Sequence, residues 1–169
     1  MYNFMLKNIF AVVFALSCAG AIFAQSGSTG QKSNQPGALN VIKSVVSDKD
    51  LVIPFQEITG NAVFYPVDVE GTRMEVLAVR APDGSIRTAF NTCQVCYSSG
   101  RGFYKQQASF LVCQNCGNRF RMNQVGVKSG GCNPAPITEA NRVQNGDSLT
   151  ISYKFLKEAK SIFAKWRRV

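Results

Sequence analysis

The stretch that decides the fold is Cys93–Gln–Val–Cys96, followed after sixteen residues by Cys113–Gln–Asn–Cys116, with Gly130–Gly–Cys132–Asn–Pro134 closing the run. Each C-x2-C turn aims two sulfurs at one point, and a loop of this length folds the second pair against the first. That is metal-ligand spacing. Ser98, Ser99, Gly100 and Gly102 follow the first knuckle and Gly117 and Asn118 the second, the small and turn-forming residues a closely wrapped ligand loop requires. The chain has no histidine, so a soft-metal site must be built from thiolates, which select zinc, iron or iron–sulfur over hard cations.

Outward from this core, the flanking sequence reads as short β-strands. Met74–Arg80 runs into Pro82-Asp83-Gly84, a turn in which proline presets φ and glycine accepts positive φ. Ile86–Phe90 returns as the second arm of the hairpin and delivers Cys93 at its end. Residues 103–104 and 109–112 predict a further hairpin carrying the second knuckle. Residues 41–42, 45–46, 51–54 and 61–67 are rich in β-formers, and 148–153 (SLTISY) reads as a last strand. The expectation is a mostly β domain over 41–153, a small β-sandwich with two cysteine-knuckle loops.

At the C-terminus, residues 154–169 (KFLKEAKSIFAKWRRV) change period. Phe155, Leu156, Ala159, Ile162, Phe163 and Trp166 recur at helical spacing, with lysines and arginines largely elsewhere. This predicts an amphipathic basic helix, whose apolar stripe packs on the domain or lies on an anionic membrane surface. At the other end, residues 1–24 read as a secretory signal: Lys7, an apolar run from Ile9 to Leu16, and a small-residue-rich end at Ala24. An uncleaved anchor and lipidation at Cys18 are the alternatives. Residues 25–40, rich in Ser, Gly and Gln, predict a flexible linker. The expected location is therefore the periplasm or the outer face of the cytoplasmic membrane. The net charge of +9 suits anionic lipid or an acidic partner, and the export signal argues against nucleic acid.

Three chemistries compete for the knuckle cysteines: an iron–sulfur or mononuclear iron site, a closed structural zinc site, and disulfide exchange, which export permits. Removal of the signal leaves five cysteines, so a complete disulfide framework strands one thiol. Spacing by itself favours zinc. Cys132 is expected to join the site as a fifth or exchangeable ligand or a resolving thiol, since glycines allow its loop a close approach. Phe64, Tyr65, Phe90, Tyr97, Phe103, Tyr104 and Phe120 are expected to form core and shield the site. Arg119 and Arg121, beside the second knuckle, would favour thiolate and raise the potential of an anionic cluster, the alternative being that they are simply solvated. No histidine triad is available, and the carboxylates form no evident catalytic pair, so a stand-alone enzyme is not the first expectation.

The order of hairpin, AFNTCQVCY, FLVCQNCGNRF and GGCNPAPI resembles a Rieske-type layout in which two β-loops supply ligand pairs and a Pro/Gly loop covers the cluster, here with cysteines in place of histidines. More closely, residues 58–137 resemble the FtrD-like family of membrane-associated iron–sulfur-containing proteins, through FYPV, VRAPDGSIRTAFNTCQVCY, GFYKQ, LVCQNCGNRF and GGCNPAPI. The resemblance implies a cysteine-ligated iron–sulfur domain, 2Fe–2S before zinc, held by Cys93, Cys96, Cys113 and Cys116. It also implies electron transfer or metal handling beside a membrane redox or iron-permease partner.

Overall fold

A computed structural model of the chain describes residues 40–168. The expected signal, Cys18 and nearly all of the expected linker lie outside the described residues. The linker's last residue, Asn40, accepts a hydrogen bond on its side-chain oxygen from the Gln106 amide at 3.1 Å, so the chain is already anchored there.

Twelve strands follow in order: β1 (Val41–Ile42), β2 (Val46–Ser47), β3 (Leu51–Pro54), β4 (Val63–Val69), β5 (Thr72–Arg80), β6 (Ile86–Cys93), β7 (Tyr104–Gln107), β8 (Phe110–Cys113), β9 (Arg119–Arg121), β10 (Pro134–Ile137), β11 (Val143–Asn145) and β12 (Ser148–Ile151). A helix α1 (Tyr153–Glu158) and a 3-10 turn, Lys160–Phe163, complete the chain. The central sheet runs β1-β4-β5-β6-β10, with β2 also beside β4. Sheets β11-β12-β3 and β7-β8-β9 are separate. The mostly β class stands as the sequence predicts. The finer Rieske label does not follow from this topology.

Side chains on the central strands alternate between two cores, as a sheet buried on both faces requires. Val63, Tyr65, Val67, Met74, Val76 and Phe90 face one core, closed by Leu51 and Ile53 of β3, Leu149 and Ile151 of β12, Leu156 and Phe163. Phe64, Leu77, Val79, Ala89 and Cys93 face the other, closed by Tyr104, Leu111, Cys113, Phe120 and Val125. The cysteine loops thus form the lid of the second core. The Pro82–Gly84 turn closes β5 on β6 as read, with Gly84 at φ +81° and pairing from Val76↔Phe90 to Arg80↔Ile86.

Three expectations change. The last strand stops at Ile151, because Ser152 turns to cap α1 by accepting the Phe155 amide at 3.2 Å. The C-terminal helix is a short α-helix and a 3-10 turn rather than one continuous element. Its apolar stripe is occupied by the protein itself: Leu156 and Phe163 are buried, and Phe155, Ala159, Ile162 and Trp166 pack against the same core. The stripe can meet a membrane only by leaving the domain. Tyr97 is 40% exposed and so belongs to neither core.

Candidate metal centre

Both knuckles are built alike. Each lies just after the end of a strand: Cys93 closes β6 and Cys113 closes β8. The amide of each first cysteine is tied back across its own loop, Cys93 to the Gly102 carbonyl at 2.6 Å and Cys113 to the Asn118 carbonyl at 3.0 Å. The following glutamines are tied as well, Gln94 to Asn133 at 3.0 Å and Gln114 to Phe103 at 2.8 Å. Each first sulfur then receives backbone N–H groups from its own turn, Val95 and Cys96 at Cys93, Asn115 and Cys116 at Cys113. Gly102 is required by space, since a Cβ there would stand 2.7 Å from the carbonyl carbon and oxygen of Cys96.

The five thiols meet. Cys93, Cys96 and Cys132 form one triad of sulfurs and Cys96, Cys113 and Cys116 a second, each within 4.8 Å, and the triads share Cys96. The Cys132 sulfur lies 3.5 Å from that of Cys116 and 4.0 Å from that of Cys96. Cys132 is therefore among the knuckle sulfurs, where the sequence places it. All five are free thiols. Cys93, Cys96 and Cys113 are buried, Cys132 is half-buried, and Cys116 is exposed.

The loop that carries Cys132 is clamped by side chains that spacing did not single out. Tyr104 donates its hydroxyl to the Cys132 carbonyl oxygen at 2.9 Å, and Asn118 donates its amide to the same oxygen at 2.9 Å. Gln94 accepts the Gly130 amide at 3.0 Å and donates to the Pro134 carbonyl at 3.2 Å. Pro134 in turn stands opposite Cys93 in the β10–β6 register. Behind Tyr104 lies buried Asn91. It accepts the Tyr104 amide at 2.7 Å and donates to buried Glu75 at 2.6 Å. The sequence signal for Asn91 and Glu75 was their position in apolar strands, where an unpartnered polar group is costly.

These contacts set the thiols apart. Burial works against the Cys93 thiolate, yet Tyr104 and the two turn amides outweigh it and hold the thiol below its ordinary value. Cys113 has the same burial and turn amides but no tyrosine hydroxyl, and burial pushes it up to about 12. The backbone N–H of Asn118 foremost, with the neighbouring thiols, pulls Cys116 down to about 7 against some burial. Its hydrogen bond with Cys116, aided by burial, pushes Cys132 up, and burial does the same at Cys96. The hydroxyl of Tyr104 has one proton, which can serve the Cys132 carbonyl or the Cys93 sulfur but not both at once.

Of the aromatics, Phe64, Tyr104 and Phe120 line the core of the cysteine lid, whereas Tyr65 and Phe90 belong to the opposite core. Phe103 meets Trp166 edge-on at 6.3 Å. Arg119 and Arg121 do not turn to the sulfurs. The pleat of β9 sends Phe120 inward and both arginines outward, over the Phe110 ring at 4.5 and 5.4 Å. A thiol set without histidine or carboxylate fits a thiophilic ion or an iron–sulfur cluster and not a hard cation. Among the described residues no helix is long and apolar enough to cross a membrane.

A protein-family model described as "Membrane iron-sulfur containing protein FtrD-like" matches residues 58–163, and the chain belongs to that family. No curated protein and no solved structure matches it.

Proposed function

We propose that this FtrD-like protein is an exported electron-transfer protein that acts at the outer face of the cytoplasmic membrane and serves an iron-transport or other redox system there. Its cofactor is an iron–sulfur cluster of 2Fe–2S type. Cys93 and Cys96 hold one side, Cys113 and Cys116 the other, and Cys132 lies beside them as a fifth, exchangeable thiol. Residues 1–24 direct export, 25–40 tether the domain, and 41–153 with the packed C-terminal segment form the working unit.

The observation that carries this reading is the pair of sulfur triads joined at Cys96. Such an all-thiolate set is what an iron–sulfur cluster takes, and four of its thiolates would hold one zinc as readily; family membership favours the cluster. When bound, the cluster supplies one-electron chemistry at a potential set by its surroundings. The chain's own part is to aim the sulfurs, donate backbone N–H groups to them, and exclude water with Phe64, Tyr104 and Phe120. Exposed Cys116 supplies the short path to a partner.

The ligand assignment is tested by replacing Cys93, Cys96, Cys113 and Cys116 singly with Ser in protein exported and matured in its native host. Each variant is expected to lose stoichiometric metal and to loosen, because binding energy at such sites is also folding energy. Full metal content in a variant removes that residue from the set.

A further inference from the structure

The outer face of sheet β7-β8-β9 is a cationic surface with no acidic counterpart. Register places Lys105 opposite Val112 and Val112 opposite Arg119, with Phe110 opposite Arg121, so these side chains share one face. Tyr104, Leu111, Cys113 and Phe120 occupy the inner face and the buried core. Arg119 and Arg121 stack on Phe110, and Lys105 lies 5.9 Å over Phe103. Stacking covers one flat side of each guanidinium and leaves its N–H edges outward, in the fork that pairs with carboxylates.

Neutralising groups are missing from the surrounding sequence. From Gly84 to Thr138 there is no Asp or Glu, while Arg87, Arg101, Lys105, Arg119, Arg121 and Lys128 all fall there. Arg87 is paired with Asp83 at 3.0 Å. Lys105, Arg119 and Arg121 make no salt bridge among the described residues, whereas Lys43, Lys157, Lys160 and Arg168 each have a carboxylate partner. Other cations of the described residues, Lys49 and Arg73 among them, are also unpaired, but this face gathers three on one small sheet within a stretch that holds no carboxylate.

The face adjoins the exposed sulfur. Arg119, the first residue of β9, follows Cys116 by three residues, within about 10 Å of chain, with its side chain on the outer face and Cys116 at the rim. We infer that this face is the docking surface for an acidic protein that exchanges electrons through Cys116, an inference that rests on the electron-transfer reading above. Carboxylates of the partner pair with the arginine forks and steer its approach. A protein is favoured over a lipid surface because Phe110 lies beneath the two guanidiniums and so offers little apolar surface for insertion, and three cations without it give weak membrane attachment.

The test titrates the metal-loaded chain with a fluorescent dodecaglutamate peptide at low and high salt. Equimolar phosphatidylcholine and phosphatidylglycerol vesicles run in parallel. The variants are Arg119→Glu with Arg121→Glu, the milder Arg119→Gln with Arg121→Gln, and Lys49→Glu, which reverses an exposed charge outside the cysteine region. Peptide binding is expected to weaken about tenfold in the double Glu variant and less in the Gln variant, to stay unchanged in Lys49→Glu, and to fall with salt. The Gln pair keeps the stems over Phe110 and guards against misfolding. Equal affinity in all variants overturns the proposal. Arginine-dependent binding to vesicles but not to peptide overturns it in favour of lipid. A second arm times oxidation of the reduced protein by ferricyanide, expected to slow in the double Glu variant. Arginine-dependent peptide binding by a chain whose metal proves redox-silent upholds the docking face and refutes the electron-transfer reading instead.

Discussion

Trp166 donates its indole N–H to the carbonyl oxygen of Asn91 at 2.8 Å, and so ties the C-terminal tail to the strand that delivers Cys93. The same tail reaches the first knuckle at a second point: Arg167 donates its amide to the Gly100 carbonyl at 2.8 Å. A Cβ on Gly100 would stand 2.2 Å from the Lys165 carbonyl oxygen, so the tail lies flat against that loop. Arg168 then pairs with buried Glu75, behind Asn91. The C-terminal segment is a strap across the back of the cysteine lid.

Trp166→Ala removes both the indole packing against Phe163 and Phe103 and this hydrogen bond. It is expected to cost about 3 kcal/mol and to lower Tm, while Trp166→Phe should cost about 1 kcal/mol. Truncation after Glu158 should lower Tm at least as far and leave binding to anionic vesicles unchanged. An unaltered Tm on truncation, or lost vesicle binding, contradicts the packed strap.

Tyr104→Phe keeps the ring and deletes the hydroxyl that meets Cys132 and Cys93. Its expected cost in stability is about 1 kcal/mol. A donor lost from a sulfur disfavours the more negative, reduced cluster. If that bond is worth about 1 kcal/mol more in the reduced state, the potential falls by roughly 40 mV for one electron. A redox titration of both proteins decides it, and identical potentials would remove Tyr104 from the tuning of the site.

Cys132→Ala should leave the four-cysteine metal in place, cost about 1 kcal/mol, and shift its spectrum or potential, because the sulfur lies 3.5 Å from Cys116. Identical spectra and potentials on fully metallated protein would reduce Cys132 to a space-filling role. Trapped mixed disulfides with other proteins would instead mark it as a resolving thiol.

Hydrogen bonds from Lys157, then Lys160, hold the exposed carboxyl of Glu70 down at about 2, below its ordinary value of 4.5. A depressed folded value means the contribution is present above pH 4.5 and is lost as pH falls towards 2. Glu70→Gln should therefore flatten the acid limb of stability in that window at low salt, with little effect in high salt. Denaturant midpoints measured across the window report it.

The hairpin through Pro82-Asp83-Gly84 and the meeting of both knuckles with Cys132 were legible because turn chemistry and sulfur spacing are local codes. The side each outward arginine takes was not. Arg119 and Arg121 are near Cys116 in sequence, and the pleat alone turns them away. Tyr104 looked like core, since nothing local distinguishes a tyrosine whose hydroxyl finds a carbonyl twenty-eight residues away from one that merely packs. The end of β12 at Ile151 was hidden for a related reason: Ser152 suits a strand and a helix cap equally, and tertiary packing of Leu156 decides.

The most direct measurement is the iron and acid-labile sulfide content of natively exported and matured protein, taken with its electron paramagnetic resonance after reduction. The account predicts coloured protein with two irons and two sulfides per chain and a signal that appears on one-electron reduction. Colourless protein with one zinc per chain, no sulfide and no signal would contradict it.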